Sequence, residues 1–221
     1  AIPALHDASR KAQRWAYPLH NLVLAYTEVG DTNRAIRAYQ DAIRLAPTAS
    51  YLPYNLGLVY QRANRRRDAE RSYLAAVRLA PDLAEPYNAL GTLKAAERRD
   101  ADAERYYRQA LERDGRSLAA RHNLALLLSA KPQRRAEAIT LWRANLAQAQ
   151  EHLPSHLSLA QALELQGDAV AAAGEFRSVL TIRPDYLAAR LELARLLAAA
   201  GTTDDALAEL RKALLVAGGR N

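Results

Sequence analysis

The 221-residue chain has no cysteine, no methionine and a single phenylalanine. Without cysteine there is no disulfide framework, no thiolate metal site and no cysteine nucleophile, and neither an oxidising nor a reducing compartment is favoured. Methionine is missing even at position 1, so the chain is expected to be a processed product or a piece of a longer protein. Lysine is scarce: Lys11, Lys94, Lys131 and Lys212 are the only four among 31 basic residues. No apolar run approaches the roughly 20 residues of a membrane span, and no signal peptide opens the chain. Glycine-rich phosphate loops and nucleophile-elbow patterns are also missing. These absences point away from an enzyme and predict a soluble protein, cytoplasmic or periplasmic, with no cofactor and no metal.

The remaining composition suits a folded chain: 50% of residues are hydrophobic and 25% charged, too apolar for a disordered one. The net charge of +7 permits nucleic acid, anionic lipid or acidic protein partners and selects none of them.

A fixed period organises the sequence. Ala35, Ala69, Ala103, Ala138, Ala172 and Ala206 follow one another at 34, 34, 35, 34 and 34 residues. Four residues after each stands a large side chain: Tyr39, Tyr73, Tyr107, Trp142, Phe176 and Leu210. Leu22, Leu56, Leu90, Leu124, Leu159 and Leu193 keep the same beat, each followed by Val23, Gly57, Gly91, Ala125, Ala160 or Ala194. Three residues further come Tyr26, Tyr60, Lys94, Leu128, Leu163 and Leu197. Pro47, Pro81 and Pro184 close three of the units; Gly115, Gln150 and Gly218 take that place in the others.

These residues resemble the tetratricopeptide repeat family, whose units carry Leu-Gly, Tyr, Ala, an aromatic and Pro at fixed offsets. The resemblance covers residues 16–220 as six units: 16–49, 50–83, 84–117, 118–152, 153–186 and 187–220. The extra residue of the fourth falls in the loop around 131–135. The resemblance implies an all-α, right-handed solenoid of tandem helix-turn-helix hairpins. Physical reasoning agrees. Each unit holds two stretches with apolar residues three and four apart, joined by short loops such as Gln166-Gly167-Asp168. The small residue after each leucine lets the first helix approach the second. The proline stops the second helix and disfavours helix at the residue before it. One hairpin cannot bury both its faces, so neighbours stack.

In this family the first helices line a concave groove that holds peptides. Carried over, the groove-facing candidates are Tyr17, His20, Asn21, Tyr51, Tyr54, Asn55, Asn88, His122 and Asn123. Tyrosine supplies contact area, and a carboxamide both donates and accepts. Asn21, Asn55 and Asn123 share one register position, a row that resembles the asparagine ladder of the O-linked N-acetylglucosamine transferase family, where it grips peptide backbone. The row is interrupted by Ala89, Ser158 and Glu192, and the plainer reading is helix packing. The carboxylate clamp of chaperone co-factors is missing: its positions hold His20, Leu24, Glu85 and Ala89.

Arginines gather in the turns of units two to four: Arg65, Arg66, Arg67, Arg98, Arg99, Arg134 and Arg135. Such an edge suits phosphate or an acidic surface. However, Asp68, Glu70, Asp100, Asp102 and Glu104 are interleaved, which reads as a solvated, self-paired face, and no nucleic-acid motif accompanies it. His152 and His156 are four apart, but Pro154 lies between them and no third ligand follows, so no metal site is expected.

Residues 1–15 form either a capping helix or the remnant of a preceding unit. At the other end, Leu207, Leu210, Leu214 and Leu215 stand on the last helix with nothing after them to cover them, which predicts self-association or a longer array. The reading is therefore an interaction scaffold for a peptide or protein segment. The alternatives are a repeat segment that presents substrate within a larger enzyme or membrane-anchored assembly factor, and an adaptor for acidic surfaces through the arginine edge.

Overall fold

The computed structural model describes Tyr26 and residues 31–218. Tyr17, His20 and Asn21, and the expected cap at 1–15, lie outside the described residues. Among those described there are eleven α-helices and no strand. They are α1 (Thr32–Leu45), α2 (Tyr51–Arg62), α3 (Arg66–Leu79), α4 (Ala84–Ala96) and α5 (Asp100–Arg113), then α6 (Leu118–Ser129), α7 (Arg135–Gln148), α8 (Leu153–Leu165), α9 (Ala169–Ile182), α10 (Leu187–Ala199) and α11 (Thr203–Gly218). The extra residue of the fourth unit falls where a 3-10 turn, Pro132–Arg134, leads into α7.

The chain divides into two compact units, 1–117 and 118–221. In the first, α2 packs on α3 and α4 on α5 as hairpins, while α1 and α3 pack on the following α2 and α4. In the second, the hairpins are α6–α7, α8–α9 and α10–α11, with α7 against α8 and α9 against α10. This is the all-α hairpin architecture expected from the period.

Two kinds of turn build it. Within four of the hairpins, the first helix ends on a residue with positive φ: Asn64 (57°), Arg98 (60°), Gly167 (87°) and Gly201 (80°) hold equivalent places, while α6 and α7 are joined through the 3-10 turn. The next amide reaches back five residues, as in Arg65 N–H to Tyr60 O at 2.8 Å and Asp168 N–H to Leu163 O at 2.9 Å. This pairs carbonyls that the helix end leaves unused. Glycine adopts this conformation freely, asparagine tolerates it, and arginine does so at a cost. Between hairpins, the second helix closes on an extended residue: Ala46, Ala80, Asp114, Ala149 and Arg183 all have φ between −134° and −145°. Proline follows only three of these, so the turn is set by its own hydrogen bonds and proline reinforces it.

The core is the periodic set. Ala35, Ala69, Ala103, Ala138 and Ala172 are fully buried, and Tyr39, Tyr73, Tyr107, Trp142 and Phe176 are buried with them. Burying a side chain of this size is worth about 1.5–3 kcal/mol. Gly57 and Gly91 make room for two of the rings. A Cβ on Gly57 would lie 2.5 Å from Tyr73 Cδ1, and one on Gly91 2.5 Å from Tyr107 Cδ1. Lys94 departs from this pattern. It stands where Tyr60 and Leu128 stand in neighbouring units, and it is buried with its ammonium 2.6 Å from Glu70 and 3.1 Å from Glu97.

Candidate functional site

Helix α2 is buried around most of its circumference: Leu52, Pro53, Leu56, Gly57, Val59 and Tyr60 face inward. What remains is a half-exposed stripe of Tyr51, Tyr54, Asn55, Leu58 and Gln61, at the helical spacing of one face. The stripe is partly fastened. Tyr73 of α3 donates its hydroxyl to Gln61 Oε1 at 2.6 Å, and its ring lies 6.0 Å from that of Tyr54. Burial, and then the nearby Glu85 carboxylate, push the Tyr54 hydroxyl above its usual range. Burial raises the Tyr39 hydroxyl to about 12. The Asn55 carboxamide has no partner among the described residues. The stripe on α4 consists of exposed Glu85 with half-exposed Asn88 and Thr92; Thr92 accepts from Tyr107 at 3.4 Å.

In the second unit, the stripe of α6 carries half-buried His122 and Asn123 and exposed Leu126. His122 belongs to a polar joint that sequence spacing does not foretell. Its Nδ1 accepts from Trp142 Nε1–H at 3.1 Å, so its neutral ring carries the proton on Nε2. His152, the N-cap of α8, stacks edge-on at 5.8 Å and contacts Ser155 Oγ at 2.8 Å. Ser155 accepts from Asn145 Nδ2 at 3.2 Å, and the Asn145 carbonyl takes a hydrogen bond from Arg121 at 2.8 Å. Burial, with the neighbouring His152, holds the His122 imidazole below the usual histidine range; burial, with His156, does the same for His152. Asn145 is fully buried at the place held elsewhere by Ala42, Ala76, Ala110, Ala213 and, once, Val179. A polar residue in that alanine column is the signal that could have found it.

His156 is tied rather than free, with Nδ1 2.6 Å from Glu175 and Nε2 2.8 Å from the Gln150 carbonyl. Arg190 repeats the arrangement one hairpin later, reaching Glu209 at 2.6 Å and the Pro184 carbonyl. Tyr87 in the first unit makes the carbonyl half of it, to Pro81 O at 3.1 Å. These residues fasten hairpins to one another. Among the described residues, no group of three or more His, Asp or Glu is placed to hold a metal ion.

The arginine edge is partly self-neutralised. In the first unit Arg65 binds Asp68 at 2.7 Å and covers the Tyr60 ring at 4.7 Å; Arg99 binds Asp102 at 2.6 Å. Asp68 is shared with Arg71, whose hydrogen bond, with that of Arg65, holds its carboxyl below the usual range. In the second unit Arg134 binds Glu137 at 2.7 Å, and Arg135 donates to the Leu165 carbonyl at 3.1 Å. Arg66, Arg67 and Arg98 are exposed and make no ion pair among the described residues. Glu70, counted with the edge in the sequence, instead faces the buried Lys94.

A groove between successive second helices recurs. In the first unit it is a cavity of about 370 Å³ lined by Ile43, Pro47, Leu56, Tyr60 and Leu79, with Arg71 and Arg78 at its rim. The equivalent groove in the second unit, about 550 Å³, is polar, because Arg190 and Glu209 stand where Pro53 and Ser72 stand in the first.

Stacked helical hairpins of one period, with small-residue contacts inside each, define a helical-repeat protein. Tetratricopeptide repeat models match residues 19–50, 54–83, 131–186 and 163–220, and the chain belongs to the tetratricopeptide repeat family. A model of the Est1 DNA/RNA binding domain matches residues 69–140. No curated protein matches the chain. Among solved structures it is similar to PilF of Pseudomonas aeruginosa (TM-score 0.75, 19% identity, 88% of each chain covered). It is also similar to PilW, a widely conserved type IV pilus biogenesis factor (0.72, 20% identity, 91% of this chain and 90% of that one). A third is YrrB, a tetratricopeptide repeat protein with an unusual peptide-binding site (0.60, 21% identity, 86% and 97%). At these identities the likeness establishes the fold. No described helix is long and apolar enough to cross a membrane.

Proposed function

We propose that this chain is an interaction scaffold that holds a peptide or protein segment against the exposed stripe of its first helices. In the first unit that surface is Tyr51, Tyr54, Asn55 and Asn88, continued by Tyr17, His20 and Asn21 from the sequence register. His122 and Asn123 form the corresponding stripe of the second unit. The observation that carries this reading is Asn55: a half-exposed carboxamide without a partner among the described residues, flanked on its own helix by Tyr51 and Tyr54. Such a group captures a backbone amide with one donor and one acceptor, and tyrosines beside it add contact area at small entropy cost. The peptide-binding site of YrrB is consistent with this use of the fold.

The test is selection of binders from a random peptide library, followed by affinity measurement on wild type and on Tyr54→Ala/Asn55→Ala of equal helicity. Losing one hydrogen bond and one aromatic contact predicts about tenfold or greater weakening. Selected peptides that bind both proteins equally rule out this surface.

A second reading rests on Arg66, Arg67 and Arg98, whose charges no carboxylate neutralises among the described residues, and on the Est1 match over 69–140. These arginines would meet an acidic surface or phosphate. The two readings separate by salt, since only the arginine contact weakens steeply as ionic strength rises.

A further inference from the structure

On α11, Thr203, Leu207, Leu210, Leu214 and Ala217 recur at steps of four, three, four and three, the spacing that lines up one seam of a helix. This seam faces solvent: Leu207 is 45% exposed, Leu210 41% and Leu214 72%. One hairpin earlier, the matching Ala173 and Phe176 of α9 are 6% and 2% exposed, with α10 packed on that helix. The seam thus has the shape of a helix-packing face that no helix among the described residues covers. Such a contiguous apolar strip is a surface for a partner.

The flank of the seam identifies that partner. Asp204 and Arg211 are seven residues apart, two helical turns, and lie on the same side of the seam. Both are exposed and neither makes an ion pair among the described residues, whereas neighbouring Lys212 is held by Glu209 at 2.7 Å. An identical helix laid antiparallel across the seam sets Leu207 against Leu210 of the other copy. It also brings Asp204 opposite Arg211 of the other copy, once on each side of the two-fold axis. A parallel copy places Asp204 alongside Ala206 and forms no such pair. A wholly apolar cover leaves both charges unused.

We propose that α11 is a homodimerisation surface, pairing antiparallel with α11 of a second copy of this chain through Leu207, Leu210 and Leu214, with Asp204–Arg211 ion pairs along its flank.

Sedimentation velocity of the 221-residue chain over about a thousandfold range of concentration should show a reversible dimer. Leu207→Lys/Leu214→Lys should weaken it about tenfold or more with helicity retained, since both side chains are exposed in the protomer. Asp204→Arg and Arg211→Asp should each weaken it, and the two together should restore it. A monomer at every concentration overturns the proposal. So does a dimer that persists in the leucine variant, or one indifferent to the charge exchanges. A dimer lost with the leucines and rescued by the double exchange supports it.

Discussion

The ammonium of Lys94 on α4 lies 2.6 Å from the Glu70 carboxylate on α3, at a register position that Tyr60 fills with a ring one unit earlier. The Lys94 side chain is 2% exposed, while Glu70 and Glu97 are 30% and 22% exposed. Burial pulls the lysine toward the neutral form, but the hydrogen bonds it donates to the two carboxylates outweigh that and leave its pKa above the usual value.

That asymmetry ranks two variants. Glu70→Gln/Glu97→Gln strands a buried cation and should cost about 3 kcal/mol in urea denaturation. Lys94→Leu leaves two carboxylates that can rehydrate and should stay within about 1 kcal/mol of wild type. The stability from the raised lysine pKa is present below the unfolded value near 10.5 and is lost as pH rises through the folded one. Wild type should therefore show an alkaline loss that Lys94→Leu lacks.

Gly57→Ala should destabilise by about 1–3 kcal/mol, reduced by the roughly 1 kcal/mol that alanine gains over glycine in a helix. The new Cβ would meet ring carbons of Tyr73, which is fully buried and has nowhere to swing. Gly174→Ala is the matched control. It lies inside α9 with nothing within 4 Å of an added Cβ, so thermal unfolding should show stabilisation of about 0.5–1 kcal/mol.

Arg98 adopts φ 60° where Gly167 and Gly201 hold the same place in the second unit. Replacing it with glycine should relieve about 1 kcal/mol of backbone strain, visible as a higher denaturation midpoint. An unchanged or lower midpoint would mean that the turn carries no such strain.

Mild acid should weaken the second unit. His122 and His152 are held below the usual histidine range, so near pH 6 the unfolded chain binds more protons than the folded one. Stability then rises with pH, is full above the unfolded pKa of 6.5, and is lost as pH falls below it. A protonated His122 Nδ1 also loses its bond from Trp142. The melting temperature should fall between about pH 7.5 and 5, with a shallower slope in His122→Gln.

Much of this is legible in the sequence because hairpin stacking is written in short-range spacing. The alanine and aromatic columns, the glycines at 57 and 91, and the exposed leucines of α11 all sit where the period places them. Glu70 reads as part of the charged edge, since spacing alone does not show that it turns to a lysine 24 residues later. The polar joint escapes a sequence reading for a related reason. His152, Ser155 and Asn145 are ordinary singly, and only the fold brings them into one chain of hydrogen bonds. Among the candidate peptide contacts, spacing places Tyr54 and Asn55 on one helix. It does not show that the Asn55 carboxamide is without a partner among the described residues.

The close contact between Gly57 and Tyr73 also bears on how such arrays are inherited. The two residues stand 16 positions apart on opposite sides of the turn inside one hairpin, and the Tyr73 ring keeps its place only while position 57 carries no Cβ. A genetic crossover falling in that turn would join a glycine-fitted ring to a helix carrying alanine, as Ala125, Ala160 and Ala194 do in the second unit. A crossover in the loop between hairpins moves both together. Duplication and shuffling of these modules should therefore respect the hairpin, not the single helix, as the heritable part.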